Sequence, residues 1–514
     1  MSASDLSAEE VRHALLDFNY LPRSSRRGDD LPPSFTSAGL SEVSKSIVDR
    51  YVARHKHTRE AERNRYQGYS VVDGRVAHYR LNPRKIEVPH PVAYSYLVET
   101  ISRHWQTELH PRLSSSASQF EIRKHPDGRI ATMQTSRPHL RPGVGSRFRV
   151  RTDITSFYDA IYTHAIPWAM LGKTAAKADH STSIPANAID AALRFSRRGE
   201  TTGISTGPGT SLVIAEVLLG AIDSRLSEFR YERFLDDYIA YTRSESEAED
   251  FINVLEVELR SFGLSLNARK TIIEELPQPD EPSWIRELRR ESPQNPNGLL
   301  DHAVDLSKAD PKASAIRWVL SRITRESSTY SAEETSRLVR RMAELSYTHP
   351  YTTSALIQLL ESRDLSLPGD ELDVLLKRHV ATSQTSAVCW LLHHAWSRQL
   401  HVSNDSWRRI LASRDPLPAA FLIAMPDTDH SLVRDLVWAM RDAPDPYARD
   451  ENWVARYVAY SSGHSNLADN GFEEMLLGGV KLLEDPRGTW TQEDWGPVST
   501  SDDEDDIFEL GLSG

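Results

Sequence analysis

Three aspartates offer the most definite chemistry in this sequence. Asp153 stands in Arg151-Thr152-Asp153-Ile154-Thr155-Ser156-Phe157-Tyr158, and an adjacent pair stands in Phe234-Leu235-Asp236-Asp237. The alternating run Phe148-Arg149-Val150-Arg151 predicts a half-buried strand that leaves Asp153 at its end, exposed to a cleft. Asp236 and Asp237 lie between two β-favouring runs, Tyr231–Leu235 and Tyr238–Thr242, which predicts the tip of a β-hairpin. Folding that hairpin beside the first strand would crowd like charges at a large energetic cost. Divalent cations remove the cost. Two Mg2+ ions roughly 3.5–4 Å apart activate a hydroxyl nucleophile and stabilise leaving pyrophosphate, and Mg2+ prefers carboxylate and phosphate oxygens. Each piece alone is ordinary, since an Asp-Asp pair is commonly turn chemistry and Asp153 could cap a helix. It is the ordered set that points to nucleotidyl transfer.

Between the acids lies Gly203-Ile204-Ser205-Thr206-Gly207-Pro208-Gly209-Thr210-Ser211, running into apolar Leu212-Val213-Ile214-Ala215. A glycine-rich loop that opens a helix lets backbone approach a base or phosphate closely. Taken alone, it fits a plain loop before a core helix better. Lys173, in Leu171-Gly172-Lys173-Thr174, is not a phosphate-loop lysine, because Pro167 stands where that loop needs glycine. Phe251, Val254, Leu255, Glu258 and Leu259 recur at helical spacing and stop at Gly263. The proline- and charge-rich stretch Pro277 to Pro296 predicts a domain boundary. From about residue 310 helical segments follow one another: Ile316–Ile323, Ala332–Leu345, Thr353–Leu360, Glu371–His379, Ala387–Trp396 and Trp407–Leu411. Serial helix pairs suggest a helical-repeat array, and a plain helical bundle fits almost as well.

The 514 residues exceed what one hydrophobic core usually organises and predict two or three domains. A composition of 39% hydrophobic and 26% charged residues is that of an ordinary globular protein. One cysteine, Cys389, excludes an internal disulfide and any cysteine-based zinc site, which suits a reducing compartment. The first residues lack the basic start and apolar stretch of a signal peptide. The longest apolar run, around Leu212 to Ile222, contains Glu216 and is too short to span a bilayer. The expectation is a cytoplasmic protein with no membrane partner. Net charge is −12, which at first argues against nucleic acid. Yet Arg123, Lys124, Arg129, Arg137, Arg141, Arg147, Arg149 and Arg151 cluster between Glu121 and Arg151, a segment suited equally to phosphates or to a solvated face. Asp502, Asp503, Glu504, Asp505, Asp506 and Glu509 make an acidic tail, read as solvated.

Asp153-x4-Tyr158, the Gly203–Ser211 loop, Phe234-Leu235-Asp236-Asp237 and Gly263-Leu264-Ser265-Leu266-Asn267-Ala268-Arg269-Lys270-Thr271 resemble, in order, motifs A, B, C and D of reverse transcriptases. The run Thr152-Asp153-Ile154-Thr155-Ser156-Phe157-Tyr158-Asp159-Ala160-Ile161-Tyr162-Thr163-His164-Ala165-Ile166-Pro167-Trp168-Ala169 resembles more narrowly the bacterial abortive-infection (Abi) and defence-associated reverse transcriptases. The resemblance implies an α+β right-hand polymerase palm and fingers followed by an all-α, HEAT-like helical-repeat domain. Residues 1–115 would be an N-terminal extension and the start of the fingers, and 116–285 the fingers and palm. Residues 300–490 would be the helical repeats, and 491–514 a flexible acidic tail. It further implies that Asp153 and Asp236 hold two Mg2+ ions, replaceable by Mn2+, that Asp237 completes the cluster, and that the Ile154 carbonyl adds a ligand. Tyr158 falls at the steric gate that rejects a ribose 2′-hydroxyl, and Lys270 at the lysine that contacts the incoming triphosphate or protonates pyrophosphate. Thr206 and Gly207, with Arg123 and Lys124 in the fingers, fall where a deoxynucleoside triphosphate would bind. A homo-oligomer is implied as well.

Two departures matter. Ser205-Thr206-Gly207 stands where templated relatives have Pro-Gln-Gly, and Phe234 where they have tyrosine. Both changes remove polar contacts near template and primer. The expectation therefore moves to untemplated, protein-primed DNA synthesis in phage defence, with product attached to a hydroxyl that the 18 tyrosines and many serines leave unnamed. RNA-templated synthesis on a partner RNA is a second reading. A phage-sensing scaffold with a vestigial palm is a third, opposed by retention of Asp153, Asp236, Asp237 and Lys270 together. Other chemistry finds little support. No Gly-x-Ser-x-Gly or His-Glu-x-x-His motif occurs, and Ser205 and Cys389 have no identifiable base. His393-His394 has no carboxylate or cysteine at ligand spacing and reads as part of a polar helix face. Trp318, Trp390, Trp396 and Trp407 read as helix-interface core.

Overall fold

Among the described residues, alternation in the sequence resolves into eight strands: β1 Val71–Tyr79, β2 Asn82–Pro89, β3 Phe120–Lys124, β4 Ile130–Gln134, β5 Phe148–Asp153, β6 Tyr231–Phe234, β7 Asp237–Thr242 and β8 Ile272–Glu275. The structure is a computed structural model. It describes residues 6–21, 31–55, 68–79, 82–113, 118, 120–124, 130–134, 141–279, 281–290, 295–310, 314–426, 428–443 and 445–487. Strands β1 and β2 form one hairpin, β3 and β4 another, and the remaining four make a sheet in the order β6-β7-β5-β8. All its pairings are antiparallel. Val150, Ala240 and Tyr238 are buried along its centre. At the β5–β8 edge, Arg149 faces Glu274 and donates to its carboxylate at 2.8 Å, an opposite-charge cross-strand pair that favours this register.

Two helices support this sheet. In Glu245–Ser261, the Ser244 hydroxyl caps the Glu247 N–H at 3.2 Å, and Ala248, Phe251, Leu255 and Leu259 are buried at helical spacing. Gly263, at φ +85°, then reverses the chain as the sequence predicts. The Gly209–Asp223 helix is apolar on nearly every side, as a buried helix must be, yet it also buries Glu216 and Asp223. Such charges require a buried partner. Arg233 on β6 supplies it, with no exposure at all. Its guanidinium reaches both Glu216 oxygens at 3.1 Å and Asp223 at 2.7 Å. A further N–H goes to the Leu235 carbonyl at 2.9 Å, so the same side chain ties the helix to the hairpin turn.

Every element described between Pro296 and Leu477 is helical, and each segment predicted there lies inside a helix. Trp318, Trp390, Trp396 and Trp407 are buried among them, as expected. His393 and His394 depart from expectation. Both are buried, not on a polar face, and Glu361 stands 3.3 Å from His393 Nε2 and 4.0 Å from His394 Nδ1. The carboxylate was invisible to local spacing because it comes from the neighbouring Thr353–Ser362 helix.

The helical half closes back on the N-terminal elements. The β1–β2 hairpin donates from Arg75 N to the Thr385 hydroxyl at 2.9 Å, and Val88 accepts from Trp453 Nε1 at 3.1 Å. Thr36 N–H meets the Leu482 carbonyl at 3.1 Å, and Glu484 N–H meets the Ser34 carbonyl at 2.9 Å. No helix among the described residues is long and apolar enough to cross a membrane.

Arg233→Met strands two buried carboxylates without a counterion. Urea unfolding is expected to show a loss of about 3–5 kcal/mol. Arg233→Lys should recover only part of it, since an ammonium cannot serve three acceptors in one plane.

Candidate active site

Strand register brings the acids together. Asp153, the last residue of β5, lies directly across from Asp237, the first of β7. Phe234 pairs with Asp237, so Leu235 and Asp236 form a two-residue turn at the tip of the predicted hairpin. Leu235 sits at φ +55°, where a leucine is strained by about 1–3 kcal/mol. The Arg233 bond to its carbonyl helps to hold it there.

The segment after Gly263 is zipped onto the end of β5. Thr155 N–H donates to the Ser265 carbonyl at 3.0 Å and Asn267 N–H to the Asp153 carbonyl at 2.8 Å. Ile154 faces Leu266 between these bonds, and neither bond uses the Ile154 carbonyl. The chain then turns, with Lys270 N and Thr271 N both reaching the Asn267 carbonyl at 2.9 Å. Thr271 and Thr152 hydroxyls meet at 2.7 Å. This turn delivers Lys270 Nζ to Asp153 Oδ2 at 2.8 Å. Asp153 Oδ1 is buried with no hydrogen-bond partner.

Electrostatically, the cluster is short of positive charge. Burial pushes the Asp237 carboxyl up to about 8, and the neighbouring Asp236 and Asp153 charges add to the shift against the pull of Lys270 and Arg151. Asp236 is raised as well, chiefly by burial and then by Asp153, while Lys270 and Arg84 act in the opposite sense. Half-buried Tyr158 lies in the same field. Its phenol is raised by burial, then by Asp236 and Glu216. The Tyr158 carbonyl accepts from Ile204 N–H at 3.0 Å, which ties this segment to the glycine loop.

In that loop, Thr206 offers its carbonyl to Glu87 N–H at 2.9 Å, and the Ser211 hydroxyl donates to the Ser205 carbonyl. Gly207 is exposed at φ +119°. At Gly209 a Cβ would stand 2.7 Å from the Asn19 side chain, so packing requires this glycine. Lys173 stands over the Trp168 ring at 4.3 Å. Arg123 and Lys124 lie on β3, and their side chains fall outside the described residues, as does the acidic tail. The sequence reading missed Arg233, Glu216 and Asp223 as supports, and Arg151 and Arg84 as charges acting on the acids. A glutamate inside an apolar helix was the one available signal, because it demands a buried cation.

An orphaned Asp153 oxygen beside two carboxyls whose ionisation burial disfavours is a donor set suited to a hard divalent cation. Among the described residues, no group of three or more His, Cys, Asp or Glu side chains is placed to hold a metal ion. Mg2+ sites completed by substrate phosphates have this character, using one or two carboxylates.

Residues 96–290 match the family described as reverse transcriptase (RNA-dependent DNA polymerase). Among solved structures, telomerase from Candida albicans in complex with a TWJ fragment of telomeric RNA is similar at 12% identity and a TM-score of 0.28, over 69% of this chain and 69% of that one. Apo telomerase from Candida tropicalis is similar at 11% identity and a TM-score of 0.28, over 77% of this chain and 72% of that one. No curated protein matches the chain. The acids at the strand ends lie within residues 96–290, the stretch that matches the reverse transcriptase domain.

Proposed function

We propose that this chain is a DNA polymerase that adds deoxynucleotides by two-metal nucleotidyl transfer. The observation that carries the reading is Asp153 facing Asp237 across one strand pair, with Asp236 on the adjoining turn. Asp153, Asp236, Asp237 and the Ile154 carbonyl would hold Mg2+, which when bound lowers the pKa of a hydroxyl nucleophile and screens charge on the leaving pyrophosphate. Lys270 would offer its ammonium to the triphosphate. Tyr158 would close the space beside the sugar at C2′. Thr206 and Gly207 would let the base approach the loop backbone, with Arg123 and Lys124 on the phosphates.

The finer reading is protein-primed, untemplated synthesis in bacterial phage defence by a homo-oligomer. Its support is the resemblance of Thr152–Ala169 to the abortive-infection group and the Ser205-Thr206-Gly207 departure. The succession of helices described between Pro296 and Leu477 supports a helical-repeat domain in place of a standard thumb. A second reading, RNA-templated synthesis, is favoured by the RNA-dependent family match. Nucleic acid recovered from freshly purified protein separates them. Protein priming is expected to give DNA that enters gels only after protease; DNA complementary to a co-purifying RNA would replace it with the templated reading.

Purified protein with Mg2+ and labelled deoxynucleotides should incorporate label, and Asp153→Asn, Asp236→Asn or Asp237→Asn should each lower the rate by at least roughly 10³-fold, the equivalent of several kcal/mol. Undiminished incorporation by Asp236→Asn would sink the proposal. Tyr158→Ala should raise ribonucleotide use on the order of 10–100-fold relative to deoxynucleotide.

A pH test reads the same acids without turnover. Native Asp237 keeps a proton to about 8 that the unfolded chain releases near 3.8. Its contribution to stability therefore falls as pH rises between those values. In chelator, melting temperature should decline from pH 5.5 to 8.5, and Asp237→Asn should flatten the decline. Mg2+ should stabilise wild type more at pH 8.5 than at 5.5.

A further inference from the structure

Lys270 is the cation in hydrogen-bonding contact with Asp153, at 2.8 Å from Oδ2. The Asp153 side chain is only 10% exposed, whereas Lys270 is 38% exposed. One partner is fixed in the sheet, and the other has solvent to withdraw into. The backbone of the lysine turn is held independently, by the two N–H bonds to Asn267 and by the Thr152–Thr271 hydroxyl contact. Releasing Lys270 thus needs rotation of one side chain and no rearrangement of the turn. An ammonium and a divalent ion on one carboxylate oxygen would repel strongly in so buried a place.

We propose that Lys270 occupies the place of a divalent cation at Asp153 in the nucleotide-free protein, so that metal entry and lysine release are a single exchange. This rests on the metal reading above and adds to it an order of events. Without nucleotide, Lys270 neutralises Asp153 and competes with metal. When a triphosphate arrives with its metal, the ammonium leaves Asp153 and turns to the phosphates. Metal and nucleotide then bind with positive coupling, because each favours the state with Lys270 released, and the coupling is reciprocal.

The test uses the full chain and Mn2+ as probe, with free Mn2+ counted by electron paramagnetic resonance in the absence of nucleotide. Lys270→Met is expected to bind Mn2+ about tenfold more tightly than wild type, a difference of about 1.4 kcal/mol. Lys270→Arg, which keeps the ion pair, should bind as wild type does, and Asp153→Asn should weaken every variant. Adding a non-incorporable deoxynucleoside triphosphate analogue should tighten Mn2+ in wild type several-fold more than in Lys270→Met. If Lys270→Met binds no more tightly while Asp153→Asn still weakens binding, the exchange is wrong and the metal reading stands. If Asp153→Asn changes nothing in any variant, both fail. Should Lys270→Met not fold, Lys270→Gln supplies the same comparison.

Discussion

Repulsion between facing carboxylates is the constraint around which this structure is arranged. Antiparallel pairing puts Asp153 directly opposite Asp237, in surroundings that disfavour the Asp237 charge. A one-residue slip of β5 would relieve the repulsion by turning Asp153 to the other face of the sheet, together with every side chain on the strand. The register is therefore held against a local electrostatic preference. On one side of β5 it is held by the Arg149–Glu274 pair across β8. On the other it is held by burial of Val150 and Ala240, which face each other at the centre of the sheet.

The same logic explains Arg233. A hairpin tip bearing Asp236, with Leu235 at positive φ, is poorly stabilised by its own residues. Anchoring it through a fully buried guanidinium couples the tip to the Gly209–Asp223 helix, the element into which the glycine loop runs. One cation answers two carboxylates in that network, and the excess negative charge is met by neutral donors such as the Tyr231 hydroxyl, which donates to Asp223 at 3.0 Å. Positional precision follows from geometry: five N–H groups in a plane fix the helix, the strand and the turn relative to one another.

How much of this was legible depended on whether the signal was local. Strand alternation placed Asp153 at the end of β5, and two flanking β-runs placed Asp236 at the turn. Helical periodicity recovered the C-terminal segments, and Gly263 ended its helix as expected. Long-range pairings were silent. Glu361 reaches His393 from 32 positions away, and Arg233 reaches Glu216 from another element, with no spacing rule connecting either pair. The basic segment before β5 shows the opposite difficulty, because composition marked it clearly while Arg123 and Lys124 have no side-chain placement among the described residues.

The loop Gly203–Ser211, which taken alone reads as a plain loop before a core helix, has glycines that answer to different demands. Gly209 is required by the Asn19 side chain at the start of the helix, and Gly203, at φ +84°, lies against the Asp159 backbone, where an added Cβ would come within 3.3 Å. Packing and backbone conformation account for both. Gly207 differs, being exposed at φ +119° beside Thr206, whose carbonyl is already engaged by Glu87. The solvent-facing part of this loop is thereby narrowed to the Thr206–Gly207 peptide, and its position is set by β2. Because β1 and β2 are in turn bonded to Thr385 and Trp453, the helical half bears physically on the one part of the Gly203–Ser211 loop left unburied.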